Sequence, residues 1–106
     1  MPRAKRVQNV NTYKFMDHGA LSAIGTTALQ LSASSVTAQS GIVVRADLAN
    51  TEAVYIGNSD VTAGTTDTTD GMPLNAGDVF IFPANNISNV YARSTASSQK
   101  VYWFLI

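Results

Sequence analysis

Val101-Tyr102-Trp103-Phe104-Leu105-Ile106 closes the chain, and Val79-Phe80-Ile81-Phe82 stands a little before it. Every side chain in both stretches is apolar or aromatic. Short runs of this composition read as β-strands. A strand with one wet face should alternate apolar and polar residues. Neither stretch does, so both faces of each strand should be covered. In a two-layer domain the outside of a sheet faces water, and the simplest cover is a second copy of the chain or a partner protein. The competing reading is that residues 20–40 fold over that face within one chain. An uncovered apolar strand would invite aggregation. Phe80, Phe82, Tyr102, Phe104 and Ile106 are therefore the candidate oligomer-interface residues.

Outward from these two stretches the pattern stays short and β-like. Thr27-Ala28-Leu29-Gln30-Leu31 alternates. Gly41-Ile42-Val43-Val44-Arg45-Ala46 is β-branched. Glu52-Ala53-Val54-Tyr55-Ile56-Gly57 lies between Ala49-Asn50-Thr51 and Asn58-Ser59. Asn75-Ala76-Gly77 precedes Asp78-Val79-Phe80-Ile81-Phe82, and Pro83 ends it. Ile87-Ser88-Asn89-Val90-Tyr91-Ala92 follows Asn85-Asn86. Many short strands separated by turn residues signal a sandwich or barrel, and no window carries a helical apolar stripe. The expectation is an all-β domain over residues 20–106, a sandwich of about seven to eight short antiparallel strands. An extended N-terminal arm, residues 1–19, precedes it.

Size and composition narrow the function. A chain of 106 residues is one ordinary domain. It buries one thin core and has little room for a deep substrate cavity. Charged residues are 13% of the chain, about half the usual share of roughly 25%. Ser, Thr, Asn and Gly take their place, and such a surface costs little to desolvate. With no cysteine there is no disulfide, thiolate metal site or cysteine nucleophile. No segment reaches the ~20 apolar residues of a membrane span, and no membrane partner is expected.

The net charge of zero hides an asymmetry. Residues 1–15 carry Arg3, Lys5, Arg6 and Lys14 and no acid. Residues 41–106 carry Arg45, Arg93 and Lys100 against Asp47, Glu52, Asp60, Asp67, Asp70 and Asp78, a balance of −3. The basic start also holds Val7, Val10, Tyr13, Phe15 and Met16, so it is more than a solvating tail. One reading is an arm that orders by lying on another surface. A leader without fixed structure, or a first strand of the domain, is the alternative.

Residues that carry chemistry are sparse. The single histidine, His18, sits beside Asp17 and Gly19 with no nucleophile specified, and reads as a turn or interface residue. Asp60, Asp67, Asp70 and Asp78 surround a Thr-rich loop. Their spacing is not that of a calcium-binding loop, and a solvated loop is the reading. No phosphate-binding glycine motif follows a strand. Four bases give only a modest, salt-sensitive attraction for nucleic acid, so no nucleic-acid partner is expected. Tyr and Trp can form a sugar-stacking platform, yet most aromatics here fall inside strands. No enzymatic activity, metal or cofactor is expected.

The segment from Gly41 to Ile106 resembles small β-structural proteins of tailed bacteriophages. Gly41-Ile42-Val43-Val44-Arg45-Ala46-Asp47-Leu48-Ala49-Asn50-Thr51 and Val54-Tyr55-Ile56-Gly57-Asn58-Ser59-Asp60-Val61-Thr62 carry the likeness. So do the turn Gly71-Met72-Pro73-Leu74-Asn75-Ala76-Gly77-Asp78, the stretch from Asn86 to Tyr91, and the ending from Gln99 to Trp103. The resemblance implies a jelly-roll-like sandwich on a virion. Capsid decoration (cement) proteins fit best; they are commonly trimers that brace the shell. It implies a homo-oligomer, a trimer, bound to the major capsid protein on the capsid exterior. Arg3, Lys5, Arg6 and Lys14 would then meet acidic capsid residues, with Val7, Val10, Tyr13, Phe15 and Met16 as apolar anchors. A head-fibre, tail, or glycan- or receptor-binding module on the virion surface is the alternative.

Overall fold

The computed structural model describes residues 17–83 and 86–106. Eight strands run β1 (His18–Ile24), β2 (Leu29–Gln30), β3 (Ile42–Ala46), β4 (Val54–Gly57), β5 (Met72–Leu74), β6 (Val79–Phe82), β7 (Tyr91–Ser94) and β8 (Gln99–Leu105). A 3-10 turn at Ile87–Asn89 precedes β7. Sheet A has the order β1-β8-β3-β6 and sheet B the order β2-β7-β4-β5, with every pairing between named strands antiparallel. The chain crosses between sheets at every connection except β4–β5, which makes a jelly-roll sandwich. The expected all-β sandwich is therefore the fold observed, with eight strands among the described residues. The first strand starts at His18, two residues before the position where the sequence reading began the domain.

Residues with inward side chains meet in one core. Ile42, Val44, Ala46, Val101, Trp103 and Leu105 from sheet A face Val54, Ile56, Leu74 and Ala92 from sheet B. Leu31 and Ala38 join them from the connection between β2 and β3. That stretch closes the sandwich: within residues 20–40, Ile24, Leu31 and Ala38 enter the core and Leu21 and Val36 pack on it, and the segment does not form a lid over the outside of sheet A. Sheet B alternates as a half-wet sheet should: β4 reads buried, half-buried, buried, half-buried. Its outward positions include Tyr55, Tyr91 and Arg93.

Two local devices adjust strand faces. In β1, Leu21 pairs with Val101 but Ile24 pairs with Gln99, so one extra residue is inserted on β1. Ala23 takes φ 61° there, a β-bulge that turns Ile24 into the core, where it is fully buried. Without the bulge, strict alternation from Leu21 would point Ala23 inward and Ile24 outward. At Gly19, a Cβ would lie 2.5 Å from the Trp103 ring. The indole lies across the glycine, which leaves no space for any larger side chain.

Candidate interaction surfaces

The outer face of sheet A follows from the register. His18 pairs with Phe104, Phe104 with Val43, and Val43 with Ile81. Ala20 pairs with Tyr102, Tyr102 with Arg45, and Arg45 with Val79. Paired residues in antiparallel strands share a face, so these eight side chains make two rows across four strands. Six of them are apolar or aromatic. Val79 is 55% exposed, Ile81 57% and Tyr102 41%. A shallow depression of about 300 Å³ opens in this face between His18, Val43, Arg45, Tyr102 and Phe104. The Lys100 ammonium sits 4.8 Å from the Tyr102 ring centre, and the Tyr102 hydroxyl reaches an Asp47 carboxylate oxygen at 3.4 Å.

The sequence-derived interface residues divide between the two faces. Tyr102 and Phe104 lie on the outside of sheet A. Phe80 pairs with Val44 and Phe82 with Ile42, both fully buried core residues, so Phe80 and Phe82 point to the inner face. Phe82 packs on the core, and Phe80 remains at the rim, its ring edge-on to Phe82 at 4.8 Å. Ile106 is a partly exposed end residue whose backbone bonds to Ser40 and Gly41. Sequence reasoning missed Val43, Val79 and Ile81. The parity of β6 relative to β3 assigns them outward, and a run of four apolar residues does not reveal that parity. Arg3, Lys5, Arg6, Val7, Val10, Tyr13, Lys14, Phe15 and Met16 lie outside the described residues.

The second surface is the long β4–β5 connection, residues 58–71. It is tied internally: Thr62 N–H donates to the Thr69 carbonyl (3.1 Å), and Gly71 N–H to the Thr62 carbonyl (3.1 Å). Val61, 2% exposed, plugs its base against Gly57 and Gly71. A Cβ on Gly71 would meet the Ile56 carbonyl oxygen at 2.5 Å, which requires glycine there. A polar depression of about 380 Å³ lies between Asn58, Asp60, Thr68, Thr69 and Asp70. Among the described residues no three His, Asp or Glu side chains gather as a metal site would need. No described helix is long and apolar enough to cross a membrane.

Asp70 organises this loop. The Thr62 hydroxyl donates to one carboxylate oxygen (2.6 Å) and the Asp67 N–H to the other (2.9 Å). These bonds favour the charged form and hold the Asp70 carboxyl below its ordinary value, the Thr62 contact contributing most. A depressed folded-state value means stability that is present above the ordinary carboxylate range and lost as pH falls through the folded value. Asp70→Asn should therefore lower the melting midpoint at neutral pH, and the gap to the wild type should close on acidification. A gap that stays constant with pH would assign the loss to shape and not to charge.

No protein-family model matches this chain, and no curated protein or solved structure matches it significantly. The fold and surfaces define its class: among the described residues, an eight-stranded jelly-roll sandwich with one half-wet sheet and one sheet whose outer face is mostly apolar.

Proposed function

We propose that this chain is a virion structural protein that decorates the assembled head of a tailed bacteriophage. It binds the major capsid protein on the capsid exterior, works as a homo-oligomer, and stabilises the shell without catalysis, metal or cofactor. The observation that carries the reading is the outer face of sheet A, where Val43, Val79, Ile81, Tyr102 and Phe104 come together on a chain whose surface is poor in charge. Such a face suits a protein that acts through contacts. The basic start with Arg3, Lys5, Arg6 and Lys14 supplies a second contact, to acidic shell residues. The mechanism is mass action: a protein that binds only the assembled shell stabilises it by RT ln(1 + [L]/Kd), summed over many sites.

The alternative is a head-fibre, tail, or glycan- or receptor-binding module, and the polar depression at residues 58–71 is what favours it. Asn58, Asp60, Thr68 and Thr69 offer hydrogen-bonding groups to a sugar there, and no aromatic ring lines the depression. Co-sedimentation with heads lacking the protein, run beside a glycan array, separates the two. Saturable binding to heads with no glycan retained supports decoration. Glycan retention lost on Asp60→Ala, with no binding to heads, would replace it by the alternative.

A further inference from the structure

We infer that the outer face of sheet A docks on the same face of a second copy of this chain. The inference deepens the homo-oligomer of the proposed function by naming its contact. The two rows described above set Val43, Ile81, Val79, Tyr102 and Phe104 around Arg45, with Lys100 and Asp47 side by side at one end of the face. That end brings both signs of charge. One base and one acid do not select a polyanion, but they can pair with their own copies across a two-fold axis, Lys100 against Asp47 of the other copy.

Area points the same way. With strands ~4.8 Å apart and residues ~3.3 Å apart, four strands by five residues span roughly 19 by 16 Å. Two such faces in contact cover roughly 600 Å² as flat sheets, and side-chain relief and the rims bring this toward the ~1,000 Å² that is the least a specific interface needs. One copy alone leaves Val79 and Ile81 more than half exposed. A face-to-face pair also preserves the core, because every residue it uses points away from Val44, Trp103 and Leu105. Two-fold docking yields a pair, so the trimer implied by the sequence resemblance would need a further contact.

The test uses the isolated full-length chain, so its failure leaves shell binding standing. Light-scattering mass is measured across a concentration series for the wild type, Ile81→Lys and Val79→Lys, with far-ultraviolet circular dichroism as the control for folding. Both positions are exposed in the single copy, so lysine there leaves the sandwich folded. The expected result is twice 11.2 kDa for the wild type and 11.2 kDa for both variants. A wild type that stays single at its solubility limit would overturn the inference, as when residues 1–16 of the same chain cover the face. Folded variants that keep the wild-type mass would overturn it equally, by moving the contact elsewhere.

Discussion

Gln99→Leu is expected to cost about 2–4 kcal/mol of folding stability, although it replaces a polar residue by an apolar one of similar size inside the protein. Gln99 is only 2% exposed, and its amide is satisfied at both ends. Its oxygen accepts the backbone N–H groups of Thr51 (2.9 Å) and Glu52 (3.1 Å). Its nitrogen donates to the Thr51 hydroxyl (3.0 Å) and the Ser97 carbonyl (2.6 Å). Leucine fills the space and leaves these partners unbonded in a partly buried site, each at the price of a desolvated polar group. Asn50 works beside it, accepting from Lys100 N–H and donating to Lys100 carbonyl, both at 2.8 Å. Its side chain thus continues the β8 edge of sheet A where β3 has ended. Together the two amides fasten the start of β8 to the turn before β4. For a domain of this size 1 kcal/mol shifts the midpoint by roughly 4–8 °C, so thermal unfolding should show a fall of ten degrees or more. A change of a degree or two would mean that water replaces the lost bonds and that the fastening is dispensable.

Removal of residues 1–16 should abolish binding to phage heads while the sandwich stays folded. Among the described residues the core cluster runs from Ile24 to Leu105, and the deletion keeps all of these. It does remove four of the seven basic residues. The remaining chain, with Arg45, Arg93 and Lys100 against seven acids, carries a balance of −4 and would be repelled by an acidic shell surface. Full-length protein should bind less tightly as salt rises, since exposed charge pairs are screened. Co-sedimentation and a melting curve of the same truncated protein check both halves. Undiminished binding by the truncated chain would remove the basic start from the mechanism.

The sequence made the layers of the fold legible because its strands are short, β-branched and separated by turn residues. Asn75-Ala76-Gly77 shows why such turns can be read: Gly77 adopts φ 86°, and Asp78 accepts the Asn75 N–H at 2.9 Å. The excess of apolar residues in β6 and β8 was also visible, and sheet A does carry an apolar outer face. Which residues form that face was not. Alternation has two phases, and an all-apolar run such as Val79 to Phe82 looks the same in either. Pairing with β3 selects the phase, sending Phe80 and Phe82 inward and Val79 and Ile81 outward. Gln99 was hidden for a related reason. At the head of a strand it reads as an edge polar residue, and its partners lie 47 and 48 positions away in sequence. The bulge at Ala23 was equally illegible, because Ala20-Leu21-Ser22-Ala23-Ile24 has no glycine at the position that takes positive φ.

The proposed role is stabilisation of a shell, and that is open to direct measurement. Heads lacking this protein are melted in the presence of increasing concentrations of the purified chain. If it decorates and braces them, their disruption midpoint rises with the logarithm of its concentration once the sites fill. Heads that disrupt at the same temperature at every concentration, while the chain remains folded in the same tube, would contradict the account.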